Sequence, residues 1–241
     1  PFTAIRYAAA LRFLPAAALA LVPLQILAAG GSCETRSSTN RVSVLELYTS
    51  EGCNSCPPAD RWVSALPAKG FTSDRVVALA FHVDYWDQLG WPDRMAKAQF
   101  SARQRTQAER NRANVVYTPQ LLLNGVDYRQ SSADSGFGDR VNELNRLPAA
   151  ADLFLRQRPA SSAVEVELDM RLLQTARGVA QTYVAITENG LQSAIKAGEN
   201  QGKLLQHDFV VRELIGPLPA DQDGRVRWKS AMALRPDWKR P

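Results

Sequence analysis

Two cysteines separated by two residues, Cys53 and Cys56, have the spacing in this chain that most directly indicates chemistry. The thiolate is the form of cysteine that attacks a disulfide, and a second cysteine one turn away can resolve the resulting mixed disulfide. A helix N-terminus beside Cys53 would lower the pKa of its thiol, because the partial positive charge there stabilises the thiolate. We therefore predict that Cys53 attacks and Cys56 resolves. A disulfide that only pins the turn is the alternative.

The elements predicted on either side of the cysteines favour the redox interpretation. The apolar run from Val42 to Leu47 predicts a buried strand, and Ser50-Glu51-Gly52 ends it. Pro57 and Pro58 can stand only in a first helical turn, where the missing N–H costs nothing. A strand, a turn with both cysteines and a helix N-terminus are therefore expected in this order, which places Cys53 at the helix N-terminus.

A second segment, from His82 to Trp91, combines acid, base and aromatic side chains at the end of the apolar run 75–83. That run predicts a second buried strand, parallel to the first, so both strands should end at the same edge of the sheet. We expect the segment to form a substrate wall, with His82 and Asp84 as proton carriers and Tyr85, Trp86 and Trp91 as apolar platforms. A loop that caps the core and the next helix is the alternative.

The rest of the first half predicts helices over 94–114 and 134–150, with a hairpin at Asn124-Gly125 between them. Pro119 stands where a strand begins, as a cis proline or an edge residue. Residues 160–241 contain alternating apolar and charged segments that predict a small β-sandwich. Within it, His207 is expected to be an ordinary surface or core histidine, and Asn200 to hold a turn.

The predicted order, β-α-β-α-β-β-α, resembles the thioredoxin fold, with Cys53-Asn-Ser-Cys56 matching its redox motif and Pro119 its cis proline. The resemblance implies that Thr118 and Pro119 bind the substrate chain. Segments 47–60, 82–91, 117–120 and 198–202 are similar to an exported bacterial thioredoxin-like family of unestablished function, domain of unknown function 1223, over residues 42–241. Thioredoxins place a Trp before the motif and Gly-Pro within it. Here Glu51-Gly52 and Asn54-Ser55 stand there, so the direction of electron flow is not specified.

Residues 1–33 predict a signal peptide or an N-terminal anchor, because two arginines precede an apolar run and small residues follow it. We therefore expect an exported protein, periplasmic or secreted, in an oxidising compartment that suits a disulfide. Membrane attachment would require an uncleaved leader or a lipidated Cys33. Subtracting the two leader arginines from the net charge of +5 leaves +3, which does not indicate a nucleic-acid partner.

The expected fold class is α/β: a thioredoxin-like domain over 40–152, followed by a small all-β sandwich-like domain over 160–241 that stops before a final strand. The predicted function is thiol–disulfide exchange with protein thiols or disulfides, or with a small thiol. No organic cofactor is expected, because the sequence has no glycine-rich phosphate loop. One alternative is a copper-binding metallochaperone that uses Cys53, Cys56 and His82. The other is a non-catalytic protein-binding module with a structural disulfide.

Overall fold

Strands account for most of the regular structure in residues 31–129, 136–173 and 180–238, the ranges that the computed structural model describes. The helices in these ranges are α1 (Pro57–Ser64), α2 (Ala98–Arg110) and α3 (Phe137–Asn145), with 3-10 turns at Pro67–Lys69 and Asp84–Leu89. The strands are β1 (Cys33–Arg36), β2 (Ser43–Thr49), β3 (Val76–His82), β4 (Gln120–Leu123), β5 (Val126–Asp127), β6 (Ala151–Pro159), β7 (Ala163–Leu172), β8 (Thr182–Glu188), β9 (Leu191–Ala194), β10 (Leu204–His207), β11 (Val210–Leu218) and β12 (Arg225–Ala233).

The largest sheet has six strands in the order β5-β4-β2-β3-β11-β8. Its centre is the parallel pair β2 and β3, whose side chains are mostly buried on both faces. On one side, β4 runs antiparallel to β2 and turns at Asn124-Gly125 into β5, which confirms the predicted hairpin. Both turn residues have positive φ, as this two-residue turn requires. On the other side, β11 is parallel to β3 and antiparallel to β8.

Helices cover both faces of the six-stranded sheet, and the cysteines follow the C-terminal end of its central strand β2. Leu45 and Leu47 of β2 pack with Val63 of α1 and Val141 of α3 in one buried cluster. On the opposite face, Tyr48, Phe81 and Phe100 form a second cluster that includes α2. Because β2 and β3 are parallel, the segments that follow Thr49 and His82 leave the sheet at the same edge.

A four-stranded antiparallel sheet has the order β1-β6-β7-β12. Along β7, Val166, Leu168 and Met170 are buried, and the intervening residues are charged. The charged side chains form a row across all four strands, Glu34 to Arg156 to Glu167 to Lys229. This alternation is what a sheet with one packed face and one solvated face requires.

A small hairpin of β9 and β10 packs against α1 and brings His207 to that helix. His207 is the last residue of β10, and its side chain is buried. The hairpin therefore delivers a side chain from the C-terminal part of the chain to the helix that follows the cysteines.

The prediction of a thioredoxin-like α/β domain followed by a small all-β sandwich-like domain is wrong. The described chain is rich in strands that form several sheets, and these sheets mix the two halves of the sequence. Strands β11 and β8 extend the sheet of β2 and β3, and β1 pairs with β6. The physical reason is that β3 has a second edge whose backbone groups need partners. Local apolar patterns predict strands but do not show which strand pairs with that edge.

Most of the predicted leader, 1–33, lies outside the described residues. Its last residue, Cys33, is an exposed free thiol in β1, where it pairs with Gln157 of β6. None of the helices in the described ranges combines the length and the apolar character needed to cross a bilayer.

Candidate functional site

Cys53 and Cys56 form a disulfide, with their Cα atoms 5.5 Å apart. Both residues are 0% exposed, so an attacking thiol does not reach either sulfur in this conformation. The intervening residues Asn54 and Ser55 are exposed and form the turn over the bond. The hydroxyl of Ser55 lies 3.3 Å from Cys53 Sγ and donates to it.

The helix beside the disulfide begins at Pro57, as the two prolines predicted, but its N-terminus lies at Cys56 and not at Cys53. Its N-cap is Cys56, and Pro57 and Pro58 occupy the first two helical positions. Prolines have no N–H, so half of the four unpaired donors that usually end a helix are missing here. The next two amides, of Ala59 and Asp60, donate to the carbonyl of Cys56. The helix therefore stabilises a Cys53 thiolate less than the predicted position implied.

His82 is completely buried at the end of β3 and contacts Asp93, with 2.6 Å between Nδ1 and Oδ2. The same carboxylate accepts the amide of Glu51 at 2.9 Å and the amide of Met95 at 2.9 Å. Burial alone would raise the pKa of Asp93, but the adjacent His82 holds it below its usual value. Asp93 therefore ties the end of β3 to the residues just before Cys53.

His207 lies between two carboxylates that come from either side of the disulfide. Its Nε2 is 3.6 Å from Oε1 of Glu51, and its Nδ1 is 3.9 Å from Oδ1 of Asp60. These distances are too long for hydrogen bonds but are within ion-pairing range. Burial alone would lower the pKa of His207, but the facing carboxylates of Asp60 and Glu51 outweigh burial and raise it to about 9. His207 is therefore a buried imidazolium at neutral pH.

The two histidines contact each other edge to face, with ring centroids 4.9 Å apart. Together with Glu51, Asp60 and Asp93 they form what we call the ionic cluster, in which every member is buried. Burial alone would raise the pKa of Glu51, and the facing His207 holds it below its usual value. Four titratable atoms of the cluster have no hydrogen-bond partner in the described ranges: Glu51 Oε1, His82 Nε2 and both ring nitrogens of His207. The cluster is thus held together largely by charge.

The loop from Gly198 to Gly202 covers the disulfide turn. The buried amide of Asn200 donates to the carbonyls of Glu51 and Cys53 at 2.8 and 2.9 Å. The neighbouring Glu199 accepts the backbone amide of Asn54 at 3.0 Å. This loop thus binds three backbone groups of the disulfide turn and its approach: the carbonyls of Glu51 and Cys53 and the amide of Asn54.

The predicted substrate-wall residues lie near this site, mostly in hydrogen bonds within the protein. Trp86 donates to the hydroxyl of Thr118 at 2.7 Å, and its Cβ lies against Gly52, next to Cys53. Trp91 donates to Glu51 Oε2 at 2.7 Å. Tyr85 donates to Gln104 on α2. The Thr118–Pro119 peptide bond is cis, one of the two forms that the sequence left open.

Asp84 accepts the hydroxyl of Ser101 on α2 at 2.5 Å, but it does not cap this helix, whose N-cap is Lys97 without a side-chain capping bond. His82 is buried against Asp93, so it does not face solvent as a wall residue would. The predicted wall is therefore divided: Trp86 and Trp91 contact the disulfide turn and its approach, whereas Asp84 and Tyr85 bond to α2.

Sequence reasoning missed Glu51, Asp60 and Asp93 of the ionic cluster, and it expected the two covering residues Glu199 and Asn200 only to hold a turn. His207 was assigned an ordinary structural role, although its ring faces two carboxylates. One signal was present: Asp60 follows Ala59 on the buried side of α1, where a carboxylate requires a partner. Asp60 accepts the hydroxyl of nearby Thr49 at 3.1 Å, but the histidine that it faces is 147 residues away, so that pairing was not visible in the sequence.

Within the described ranges, no three His, Cys, Asp or Glu side chains are arranged to hold a metal ion. The alternative copper ligands are in other contacts: the cysteines are bonded to each other, and His82 Nδ1 contacts Asp93.

A family described as "Protein of unknown function (DUF1223)" matches residues 44–240, which include the whole ionic cluster and the disulfide. The chain belongs to this family. No curated protein matches the chain. The DUF1223 match therefore assigns a family to the disulfide and its surroundings but no reaction.

Two solved structures resemble this DUF1223 chain. The X-ray structure of protein AGR_C_4864 from Agrobacterium tumefaciens is 30% identical, with a TM-score of 0.57, covering 81% of this chain and 80% of that one. The structure titled HBP35 of Porphyromonas gingivalis is 15% identical, with a TM-score of 0.54, covering 82% of this chain and 66% of that one. The second likeness concerns the fold alone.

Proposed function

We propose that the protein carries out thiol–disulfide exchange through Cys53 and Cys56, as an exported protein in an oxidising compartment. The observation that supports this proposal is the position of His207, whose imidazolium lies between Glu51 before the disulfide and Asp60 after it. Exchange converts neutral sulfur to thiolate and back, so charged groups that are fixed near the bond shift the pKa of the cysteines and change the rate of exchange.

The proposed exchange has two steps. A thiolate of the partner attacks the sulfur of Cys53, forms a mixed disulfide and releases Cys56 as a thiolate. A second partner thiolate then attacks the mixed disulfide, which oxidises the partner to a disulfide and releases Cys53 as a thiolate. The Ser55 hydroxyl, 3.3 Å from Cys53 Sγ, stabilises that thiolate by donating a hydrogen bond. In the reverse direction, Cys53 attacks a partner disulfide and Cys56 resolves it.

A purely structural role explains less of the arrangement. The cysteines are three positions apart, and a cross-link that closes so short a loop stabilises the folded chain by only roughly 2 kcal/mol. Burying ionisable side chains costs free energy unless each finds a partner. A disulfide that only fixed a turn would not need a buried ionic cluster beside it.

Exchange requires the cover over the disulfide to open, because both cysteines are inaccessible in the closed conformation. Asn54 and Ser55, between the two cysteines, are exposed, so a partner would approach the sulfurs through this turn. The bonds from Asn200 and Glu199 hold this turn and its approach, so their release exposes Cys53. Trp86 lies against Gly52 and bonds to Thr118, and Trp91 bonds to Glu51. The two tryptophans, Thr118 and Pro119 would contact the partner, either a protein thiol or a small thiol.

The direct test is a redox titration in glutathione buffers with alkylation of free thiols. The Cys33→Ser background is used, because Cys33 is an exposed free thiol. We expect a potential between about −270 and −120 mV, the range of exchange-active proteins. In Cys56→Ser, we expect Cys53 to trap glutathione as a mixed disulfide, whereas Cys53→Ser should trap much less.

A potential below about −300 mV with no reactive thiol in either variant would indicate a structural disulfide and contradict the proposal. Equal trapping by both single variants would leave exchange possible but contradict the assigned order of attack.

A further inference from the structure

An apolar groove of about 830 Å³ separates the six-stranded sheet from the four-stranded sheet. Val44 of β2 and Val77 of β3, which lie opposite each other in register, line one wall. Leu153 and Leu155 of β6 and Leu168 of β7 line the other. Val77 is 38% exposed and Leu153 is 42% exposed, so the groove leaves large apolar side chains open to solvent. Its volume is that of a typical small-molecule site.

A polar pocket of about 550 Å³ adjoins the groove. The two cavities share four lining residues, Ser38, Asn40, Arg41 and Asp74. The polar pocket adds two more guanidinium groups, those of Arg75 and Arg146. The two cavities therefore form one cleft with an apolar end and a basic end.

The basic end has an excess of positive charge. Three arginines line it against one carboxylate, that of Asp74, which already accepts the hydroxyl of Thr72. Arg75 is held by the carbonyl of Gly70 and the side chain of Asn142. Arg41 donates only its Nε, to the carbonyl of Pro148 at 3.1 Å. In the described ranges, neither the terminal nitrogens of Arg41 nor the side chain of Arg146 has a partner.

We propose that this cleft binds a single-chain anionic amphiphile, with its acyl chain in the apolar groove and its carboxylate or phosphate head beside Arg41. The apolar walls bury the chain, which provides most of the affinity. The guanidinium of Arg41 bonds to the head group, because its planar fork matches the oxygens of a carboxylate or phosphate. This site is separate from the disulfide and does not depend on the proposed exchange activity.

The test measures the fluorescence of cis-parinaric acid, an 18-carbon fatty acid, on titration with the full chain. We expect saturable binding, and we expect the uncharged methyl ester of the same acid to bind about fivefold to tenfold more weakly. Arg41→Gln should weaken binding of the acid by a similar factor and leave binding of the ester unchanged. Arg105→Gln, at an exposed position on α2, is the matched control and should bind like the parent.

A second variant tests the apolar end. Val77→Trp places a larger ring in the groove and should weaken the acid and the ester alike by at least about tenfold. Val126→Trp, at a position that is 59% exposed and outside the groove, is its control. Circular dichroism establishes that each variant is folded. If Val77→Trp does not fold, the comparison of acid and ester in Arg41→Gln still decides the question.

Four results would overturn the proposal. The first is no saturable binding of the acid. The second is equal binding of acid and ester that Arg41→Gln does not change. The third is inorganic phosphate binding as tightly as the acid, which would make the basic end a free-anion site. A dimer in light scattering that Val77→Trp dissociates would also overturn it, because the groove would then be covered by a second copy.

Discussion

Two regions of this molecule place acids and bases side by side, one in the interior and one on the surface. The ionic cluster brings together Glu51, Asp60, His82, Asp93 and His207, all buried. The charged row Glu34-Arg156-Glu167-Lys229 crosses the four-stranded sheet with contacts of 2.6 to 3.1 Å, shorter than the ion pairs of His207. Side chains of the row are 27% to 62% exposed.

The difference shows that burial, and not contact distance, determines what an ion pair contributes. A charge in the surface row that loses its partner is solvated by water, so surface pairs contribute little to stability. A buried charge that loses its partner stays unsolvated and destabilises the fold strongly. Substitutions of equal chemistry should therefore have very different effects in the two regions.

The largest effect is expected for Asp93→Asn. This change removes the negative charge that faces His82 and weakens the bonds to the amides of Glu51 and Met95. We expect the free energy of unfolding, measured in urea, to fall by about 3 kcal/mol. Asp223→Asn, at an exposed position, is the control. If Asp93→Asn and Asp223→Asn lowered the free energy of unfolding by similar amounts, burial would not explain the difference between the ionic cluster and the surface row.

The second-largest effect is expected in the pH dependence of the free energy of unfolding. The pKa of His207 in the folded protein, about 9, is raised above its ordinary value of 6.5, so its protonation stabilises the fold. That contribution is complete below about pH 6.5 and is lost as the pH rises through about 9. We expect urea unfolding to show a loss on the order of 2 kcal/mol between pH 6 and pH 9.5. In His207→Gln the loss should be absent; a loss of the same size in that variant would assign it to another group.

A smaller effect is expected when the cover of the disulfide is loosened. Asn200→Ala removes the hydrogen bonds to the carbonyls of Glu51 and Cys53. We expect dithiothreitol to reduce Cys53–Cys56 about tenfold faster, because losing two hydrogen bonds of about 0.7 kcal/mol each makes opening about 1.4 kcal/mol easier. The control is the exposed substitution Asn114→Ala. An unchanged rate of reduction would mean that access does not pass through this loop.

The smallest effect is expected in the surface row. Lys229→Ala removes an ion pair of 2.6 Å to Glu167 on a side chain that is 62% exposed. We expect the melting temperature to change by no more than about 1 °C, and less in high salt. A decrease in melting temperature as large as the one that Asp93→Asn causes would contradict the distinction between the ionic cluster and the surface row.

Local sequence patterns were sufficient for the parts of the site that lie close together in the chain. The apolar run before the cysteines predicted β2, and Pro57 and Pro58 marked the first turn of α1. The Asn124-Gly125 turn and the alternation in β7 were equally clear. Each of these features is determined by backbone geometry or by the burial of one face, and both leave a local pattern in the sequence.

The remainder of the site depends on partners that are far apart in the chain. His207 meets Glu51 and Asp60 only because the β9–β10 hairpin packs on α1. Asn200 bonds to carbonyls 147 and 149 residues away. The same reason explains the wrong fold class, because the pairing of β11 with β3 has no local signature. Polar side chains of this kind are recognisable in the sequence only as residues that lack an evident partner.

The loop from Gly198 to Gly202, which covers the disulfide, also bears on when the cysteines are oxidised during synthesis. Asn54 and Glu199, which bond to each other, are 145 residues apart, and the chain is made from its N-terminus. Both cysteines therefore exist long before the segment that will cover them. Until that segment docks, the thiols are open to any oxidant that the chain meets. Oxidation before docking is thus the simplest route to the buried bond, whereas oxidation after docking would have to wait for the loop to open.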